Sequence, residues 1–272
     1  MPELPEVEIA RRNLERWLKA SSVTGAEAER SRVFRGADRS AFLRLRGKLR
    51  FARRRGKTLL LGFEKNQGFL CHLGMTGKWV QRGAGQSEPY SRARLRLQNG
   101  TVLHYRDPRL FGRIHPAKAD QLEQLPDVLR LGADPLLERL DGKRLQSIFG
   151  HSRTPLKVAL LDQGKVAGLG NIHAAEALWR AKLSPLRPTS SLGQAEWSRL
   201  SKAIAASIGF ALRQETDEEV AYVEEPGTPN PFRVYGRAGK GCPRCRARIE
   251  CVRQAGRSTY FCPRCQPWRR RA

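Results

Sequence analysis

The sequence has no run of about 18 apolar residues, so nothing in it reads as a membrane-spanning helix. Its opening, MPELPEVEIA, is acidic and lacks the apolar stretch of a secretory signal. No internal repeat is present, so nothing points to a repeat array. Cysteine is scarce outside one stretch: of six, only Cys71 lies away from residues 242–265. Clustered cysteines without a signal point to a bound metal in a reducing, cytoplasmic setting rather than to disulfides. Acids are also scarce, 26 Asp and Glu against 51 Lys and Arg, a formal charge of +25. Such a surface attracts polyanions, and neutralising phosphates releases counterions, so nucleic acid is the leading partner. A ribosomal or merely arginine-rich protein would share that charge, which therefore names no chemistry. What remains is ample: 272 residues, 40% of them hydrophobic, can build two cored domains, or one and a small module.

After Pro2-Glu3-Leu4-Pro5, apolar residues at Val7, Ala10, Leu14, Trp17 and Leu18 mark one helical face, opened by Pro5 and acidic first-turn residues. From about Lys48 to Ile114 the pattern turns to short strands: Lys57–Phe63, Phe69–Leu73, the alternating Ala93–Leu97, and Thr101–Tyr105. Gln98-Asn99-Gly100 joins the last two as a hairpin. An antiparallel β-sandwich with a leading helix is expected. A break falls at Leu131–Pro135, and helical patterns follow at Gly142–Phe149, Pro155–Leu161, Ile172–Ala181 and Gln194–Arg213. Between the second and third runs Gln163–Asn171, a glycine-rich turn into a helix start. It suits a phosphate, though it equally suits a plain connector. Residues 214–231 are acidic and rich in Pro and Gly, a long loop. The expected division is 1–132, the sandwich; 133–231, a helical domain with that loop; and 232–272, a cysteine-bearing hairpin.

Cys242-Pro-Arg-Cys245 and Cys262-Pro-Arg-Cys265 are two pairs at metal-ligand spacing, separated by 16 residues. Four thiolates fill a tetrahedral shell and leave no place for a catalytic water, so one structural zinc ion is expected. Cys251 reads as a packed or free thiol. Residues 237–272 hold eleven Lys and Arg against one acid, Glu250, an imbalance that suits a grip on DNA.

Six motifs in order carry a family resemblance: Pro2-Glu3-Leu4-Pro5-Glu6, His72-Leu73-Gly74-Met75-Thr76-Gly77, Asp107-Pro108-Arg109-Leu110-Phe111-Gly112, Gly168-Leu169-Gly170-Asn171-Ile172, Val234-Tyr235-Gly236-Arg237, and the zinc cysteines. From residue 2 to about 265 the chain resembles formamidopyrimidine-DNA glycosylase, with its helix–two-turn–helix and zinc-finger domains. The resemblance implies a DNA-repair enzyme that excises an oxidised base, such as 8-oxoguanine or a formamidopyrimidine, from duplex DNA and then cleaves the abasic strand. It also implies a monomer at the nucleoid, with no cofactor beyond zinc.

Removal of Met1 would expose a secondary amine on Pro2 with an ordinary pKa near 8, enough of it neutral to attack the sugar C1′ and form an iminium. By resemblance Glu3 is the acid/base and Glu6 a supporting acid, although Glu6 equally fits a first-turn carboxylate answering the helix dipole. Lys57 resembles a hairpin lysine on phosphate near the lesion. Met75, Arg109 and Phe111 resemble the set that fills the hole left by a flipped base, with the arginine fork on the orphaned partner. Burial of Met75 and Phe111 in the core is the competing reading. Asn171 and Arg257 resemble a phosphate clamp, and Lys157 a further phosphate contact.

Three features depart from the family pattern. Leu110 stands where a second arginine is common, and His173 where a tyrosine is common. Residues 214–232 carry Glu215, Asp217, Glu218, Glu219, Glu224 and Glu225, unlike the family's loop over an everted purine. An endonuclease VIII-like preference for oxidised pyrimidines is one alternative. A zinc-dependent DNA-binding protein without catalysis is the other, and it would need neither Pro2 nor Glu3.

Overall fold

The computed structural model describes residues 2–214 and 219–268, which fall into two compact units. Met1, the loop acids Glu215, Asp217 and Glu218, and the terminal Arg269, Arg270 and Arg271 lie outside the described residues.

The first unit runs to Arg130 and takes in the later segment that ends at Thr228. It opens with helix α1 (Leu4–Ala20), whose buried face includes every residue of the expected apolar stripe. Glu3 is its extended N-cap residue, and the Glu3 N–H donates to Glu6 Oε2 at 2.8 Å within a reciprocal capping box. Two antiparallel four-stranded sheets follow. One has the order β1 (Val23–Ala28), β6 (Ser91–Leu97), β7 (Val102–Arg106), β5 (Lys78–Arg82). The other has the order β2 (Leu49–Arg55), β3 (Thr58–Phe63), β4 (Gln67–His72), β8 (Arg113–Lys118). Short helices α2 (Arg39–Leu43) and α3 (Pro126–Leu129) complete the unit.

Strand β3 is buried at all six positions, whereas β6 alternates as a strand with one covered face should. Phe69 on β4 lies 5.9 Å from Trp79 on β5, and Trp79 lies 5.4 Å from Tyr105, so aromatic rings join the two sheets through the core. The turn after β6 closes with the Gly100 N–H on the Leu97 carbonyl at 3.1 Å, and Gly100 takes the positive φ of +83° that the turn needs.

The second unit is helical: α4 (Gly142–Phe149), α5 (Leu156–Leu160), α6 (Asn171–Ala181) and α7 (Gln194–Gln214), followed by the hairpin of β9 (Glu250–Gln254) and β10 (Arg257–Phe261). Helix α6 is buried at every residue from Asn171 to Trp179, so it is the unit's central element. Trp197 of α7, fully buried, stacks on Phe149 of α4 at 6.2 Å. No described helix is long and apolar enough to cross a membrane.

Residues 219–228 form neither helix nor strand, as the Pro- and Gly-rich composition suggests. They pack on the first unit although the sequence attaches them to the end of α7.

Candidate functional site

At the start of the first unit Pro2 is buried, Glu3 is 0% exposed and Glu6 7% exposed. Carboxylates this deep are rare unless something uses their charge. Glu6 has a visible use, since its oxygen holds the Glu3 N–H and fixes the peptide that follows Pro2. Arg54 on β2, itself buried, donates to Glu8 at 3.1 Å and to the Gly56 carbonyl at 2.9 Å. It thereby ties α1 to the β2–β3 turn that carries half-buried Lys57. His72 pairs across from Thr58 in the β3–β4 register. Burial, with the Lys57 ammonium adding to it, pushes the His72 pKa down to about 4, so the ring is neutral at pH 7. Its Nδ1 accepts the Gly74 N–H at 3.0 Å, which leaves the proton on Nε2. The sequence reading gave His72 no role; its place at the end of a strand beside Lys57 was the missed signal.

Met75 and the pair Arg109 and Phe111 sit on two turns that one carboxylate binds together. Asp107, 0% exposed, accepts from the Thr76 hydroxyl at 2.8 Å through Oδ1 and from the Gly112 N–H at 2.8 Å through Oδ2. The turns touch so closely that a Cβ on Gly74 would stand 2.4 Å from the Phe111 carbonyl carbon. One on Gly112 would meet the Tyr105 hydroxyl at 1.7 Å. Both motif glycines are therefore required by backbone approach. Phe111 is 53% exposed, which rules out a core role for it, and Met75 is half-buried. The exposed Arg109 guanidinium lies 4.7 Å over the Phe111 ring, a cation–π contact that orders both side chains. Between them Leu110 adopts φ +57°, an uncommon left-handed conformation for a branched residue.

The acidic segment is held by basic residues of β5. Lys78 Nζ, almost buried, pairs with Glu225 at 2.8 Å and donates to the Val220 carbonyl at 3.1 Å. Arg82 pairs with Glu219 and, at 2.6 Å, with the buried Glu88. The Tyr222 hydroxyl, 2% exposed as a residue, donates to the Gly77 carbonyl at 2.6 Å, at the foot of the Met75 turn. The described acids Glu219 and Glu225 thus anchor the segment to the sheet.

In the second unit the loop before α6 is stapled by Gln163, which accepts from the Gly168 N–H at 2.9 Å and donates to the Leu169 carbonyl at 2.8 Å. Asn171 is the first residue of α6, 8% exposed, and its Oδ1 accepts no hydrogen bond among the described residues. The Asn171 amide carries N–H donors at the positive end of a helix, a place that suits an anion. His173 faces away from that function: it is fully buried, and its Nδ1 meets the Ser207 hydroxyl of α7 at 3.0 Å. The departure at His173 is therefore a packing substitution.

Lys157 requires a correction. It is 0% exposed, and Nζ donates to the Ser258 carbonyl and the Thr259 hydroxyl of β10, both at 2.8 Å. An ammonium enclosed in this way positions the hairpin and does not reach a phosphate at the surface. Arg257 opens β10 after Ala255 and Gly256, both at positive φ, a tight turn that leaves its side chain exposed at the hairpin tip.

The sulfurs of Cys242, Cys245, Cys262 and Cys265 all lie within 4.8 Å of one another. Cys245 and Cys262 are 3.4 Å apart, and Cys242 and Cys265 are 4.0 Å apart. A tetrahedral zinc with Zn–S of about 2.3 Å sets its sulfurs about 3.8 Å apart, so these residues fit one structural ion. Burial alone would raise the Cys242 thiol, but the Trp179 indole N–H at 3.5 Å and nearby backbone N–H groups bring it down to about 6. Cys242 is thus favoured as a thiolate, whereas burial and the neighbouring sulfurs push Cys262 up to about 12 and Cys265 upward, so those protons would leave as a metal binds. Cys251 is exposed on β9 and stands outside the cluster.

Fold and sites together define an α+β protein that carries Asn171 at a helix start and a basic, four-cysteine hairpin within one unit. Three family models match it: the formamidopyrimidine-DNA glycosylase N-terminal domain over residues 1–114, that enzyme's H2TH domain over 131–220, and a zinc finger found in FPG and IleRS over 239–267. The chain is 39% identical to the formamidopyrimidine-DNA glycosylase of Gloeobacter violaceus over 280 residues, covering 98% of each. It is also 39% identical to that of Thermus thermophilus over 275 residues, again covering 98% of each. Among solved structures, MutM (Fpg) from Thermus thermophilus superposes with a TM-score of 0.81 at 36% identity, over 97% of this chain and 98% of that one. Lactococcus lactis Fpg in complex with abasic-site DNA gives 0.86 at 31% identity, over 98% of this chain and 100% of that one. The chain belongs to the formamidopyrimidine-DNA glycosylase family.

Proposed function

We propose that the chain excises oxidised bases from duplex DNA and then cleaves the abasic strand, acting as a bifunctional DNA glycosylase and abasic-site lyase. The substrate we assign is an oxidised purine, 8-oxoguanine or a formamidopyrimidine. The observation that carries this reading is the first turn of α1, where Pro2 and Glu3 are buried and Glu6 fixes the peptide between them.

With Met1 removed, the neutral Pro2 nitrogen gives its lone pair to the sugar C1′, and the bond to the base breaks with its electron pair leaving on the base. Glu3 passes a proton to the ring oxygen as the sugar opens, and the nitrogen's own proton goes to the expelled base, leaving an iminium. That cation acidifies the C2′ proton. Its removal sends electrons toward nitrogen and expels the 3′ phosphate, and a second elimination releases the 5′ phosphate. Glu6 supports by orientation.

Lys57, Asn171 and Arg257 hold phosphates. Met75, Arg109 and Phe111 occupy the space of the everted base, a role that the exposure of Phe111 and its contact with Arg109 favour. We divide the work among the sandwich (1–132), the helical part (133–231) and the hairpin (232–272), with 219–228 serving the sandwich. The protein acts as a monomer in the cytoplasm, on the nucleoid.

Borohydride trapping on a duplex with one 8-oxoguanine, native against Pro2→Gly, tests the reading. The expected result is a covalent adduct that depends on Pro2. An adduct only on a preformed abasic site would keep the lyase and move the base preference toward oxidised pyrimidines. No adduct on either, with Met1 verified as removed, would overturn the enzyme assignment in favour of a DNA-binding one.

A further inference from the structure

Helix α6 begins at Asn171 and ends against a cluster of arginines that the chemistry above does not use. A cavity of about 500 Å³ lies there, lined by Trp179, Arg180, Arg233, Pro243 and Arg244. Three of the five lining residues carry guanidinium groups, and none carries a carboxylate. Among the described residues the acid that acts on Arg180 is Glu176, 1% exposed one turn back along α6. Its oxygens are occupied by the backbone N–H groups of Arg233, Val234 and Tyr235, at 2.8 to 3.1 Å. None of the three arginines forms an ion pair among the described residues.

Two of the guanidinium groups are held in place by aromatic rings. Arg244 lies 4.2 Å over the Trp179 ring and donates through Nη1 to the Trp179 carbonyl at 3.0 Å. Arg180 lies 5.4 Å from the Phe210 ring centre, and its buried Nε has no acceptor among the described residues. Burial, reinforced by Arg233, Arg213 and Arg244, holds the Arg180 pKa below its ordinary range, with Glu176 opposing. The carbonyl end of α6 and solvent offset only part of the repulsion among three guanidinium groups, and an N–H buried without an acceptor adds a cost. Both costs are relieved when an oxyanion enters. Because aromatic stacking fixes two forks beforehand, little side-chain order is lost on binding.

We infer that this cavity is a second anion site, one that takes a phosphate group between Arg180, Arg233 and Arg244. Arg180 lies nine positions beyond Asn171, about 14 Å at the helical rise, so one phosphate cannot serve both ends of α6. The phosphate belongs either to a nucleic-acid backbone, a source that rests on the DNA-binding reading above, or to a free phosphate or pyrophosphate ion.

The test uses the zinc-loaded full chain with Arg180→Gln/Arg233→Gln, and Arg233→Gln alone as a variant at an exposed position. Zinc content and circular dichroism establish that each is folded. Duplex affinity is measured from 50 to 200 mM NaCl, and pyrophosphate binding by calorimetry without DNA. For a backbone phosphate, the double variant lowers the slope of log K against log salt by about 0.9. The native advantage then shrinks about three- to fourfold across that range, while trapping on an abasic site at saturating protein is unchanged. An unchanged slope, with pyrophosphate bound by the native chain and not by the variants, assigns the site to free phosphate. Equal slopes with no pyrophosphate binding by the native chain would overturn the inference. Failure of the glycosylase reading shows separately, as loss of trapping by the native chain.

Discussion

The zinc hairpin and the 219–228 segment are both short and poor in core, yet they are fixed by opposite means. The hairpin is tied to its own unit by four convergent sulfurs, by Lys157 on β10, and by Gln266, which accepts from the Cys262 N–H at 2.9 Å and donates to the Leu183 carbonyl at 2.8 Å. The segment is docked by the ion pairs of Lys78 and Arg82 and by one tyrosine hydroxyl. A metal cluster holds until its ion is lost. An ion-pair latch is graded, partly screened by salt, and able to yield. If the proposed function holds, a hairpin gripping DNA needs the first kind of hold, and a segment serving base excision suits the second.

The sharpest way to break this contrast is to remove the metal. Chelation at neutral pH should expose four reactive thiols, unfold the hairpin and abolish tight duplex binding, since coordination energies of about 10–16 kcal/mol are folding energies in such modules. Fluorescence of the sandwich tryptophans should change little. Duplex binding that survives complete zinc loss would show that the hairpin does not carry the grip. Next in size is Lys157→Met, which keeps the volume but leaves the Ser258 carbonyl and Thr259 hydroxyl without their charged donor. Two weakened buried acceptors should cost about 2–3 kcal/mol in chemical denaturation and raise the DNA dissociation constant through misplacement of Arg257. Unchanged stability would show that the metal alone holds the hairpin.

The same contrast explains what could be read from the sequence. The zinc ligands announce themselves because coordination demands two close pairs, and α4 announces itself by the helical spacing of Leu145 and Phe149; both signals are local. The docking of 219–228 is not local, since Tyr222 meets a carbonyl 145 residues away and Lys78 meets an acid 147 residues away. Acidic composition there reads as a departure from the family until its partners on β5 are seen. Lys157 misleads for the same reason: a lysine reads as a solvated charge, and only the β10 strand 101 residues on shows that it is enclosed. Asp107 stands plainly within its motif, but its work of joining two turns becomes visible only when Thr76 and Gly112 come together.

On the latch, Lys78→Met should have a moderate effect. Lys78 is 8% exposed at its side chain and Glu225 34%, so losing the pair should cost about 1–2 kcal/mol, less than for a fully buried pair. Excision of the base should fall about tenfold, while lyase activity on a preformed abasic site, where no base needs holding, should change less than twofold. An equal loss of both activities would mean that the segment serves general folding and not the base.

The smallest expected effect is the most diagnostic. Tyr222→Phe removes one oxygen and keeps the ring, its burial and its 5.3 Å contact with the Lys78 ammonium. What is lost is the donor to the Gly77 carbonyl, a cost of about 1 kcal/mol for a buried acceptor left unmet. Gly77 ends the turn that carries Met75, and a Cβ there would stand 2.1 Å from the Tyr105 hydroxyl, so this backbone has no room to shift and find another donor. The strain must then appear as looser placement of the Met75 turn. Excision should fall severalfold through kcat with KM nearly unchanged, because duplex binding depends on phosphates held elsewhere. If KM rises instead and kcat holds, the hydroxyl serves binding of the DNA. In that case the segment resembles the hairpin in function, and the two regions differ only in how they are held.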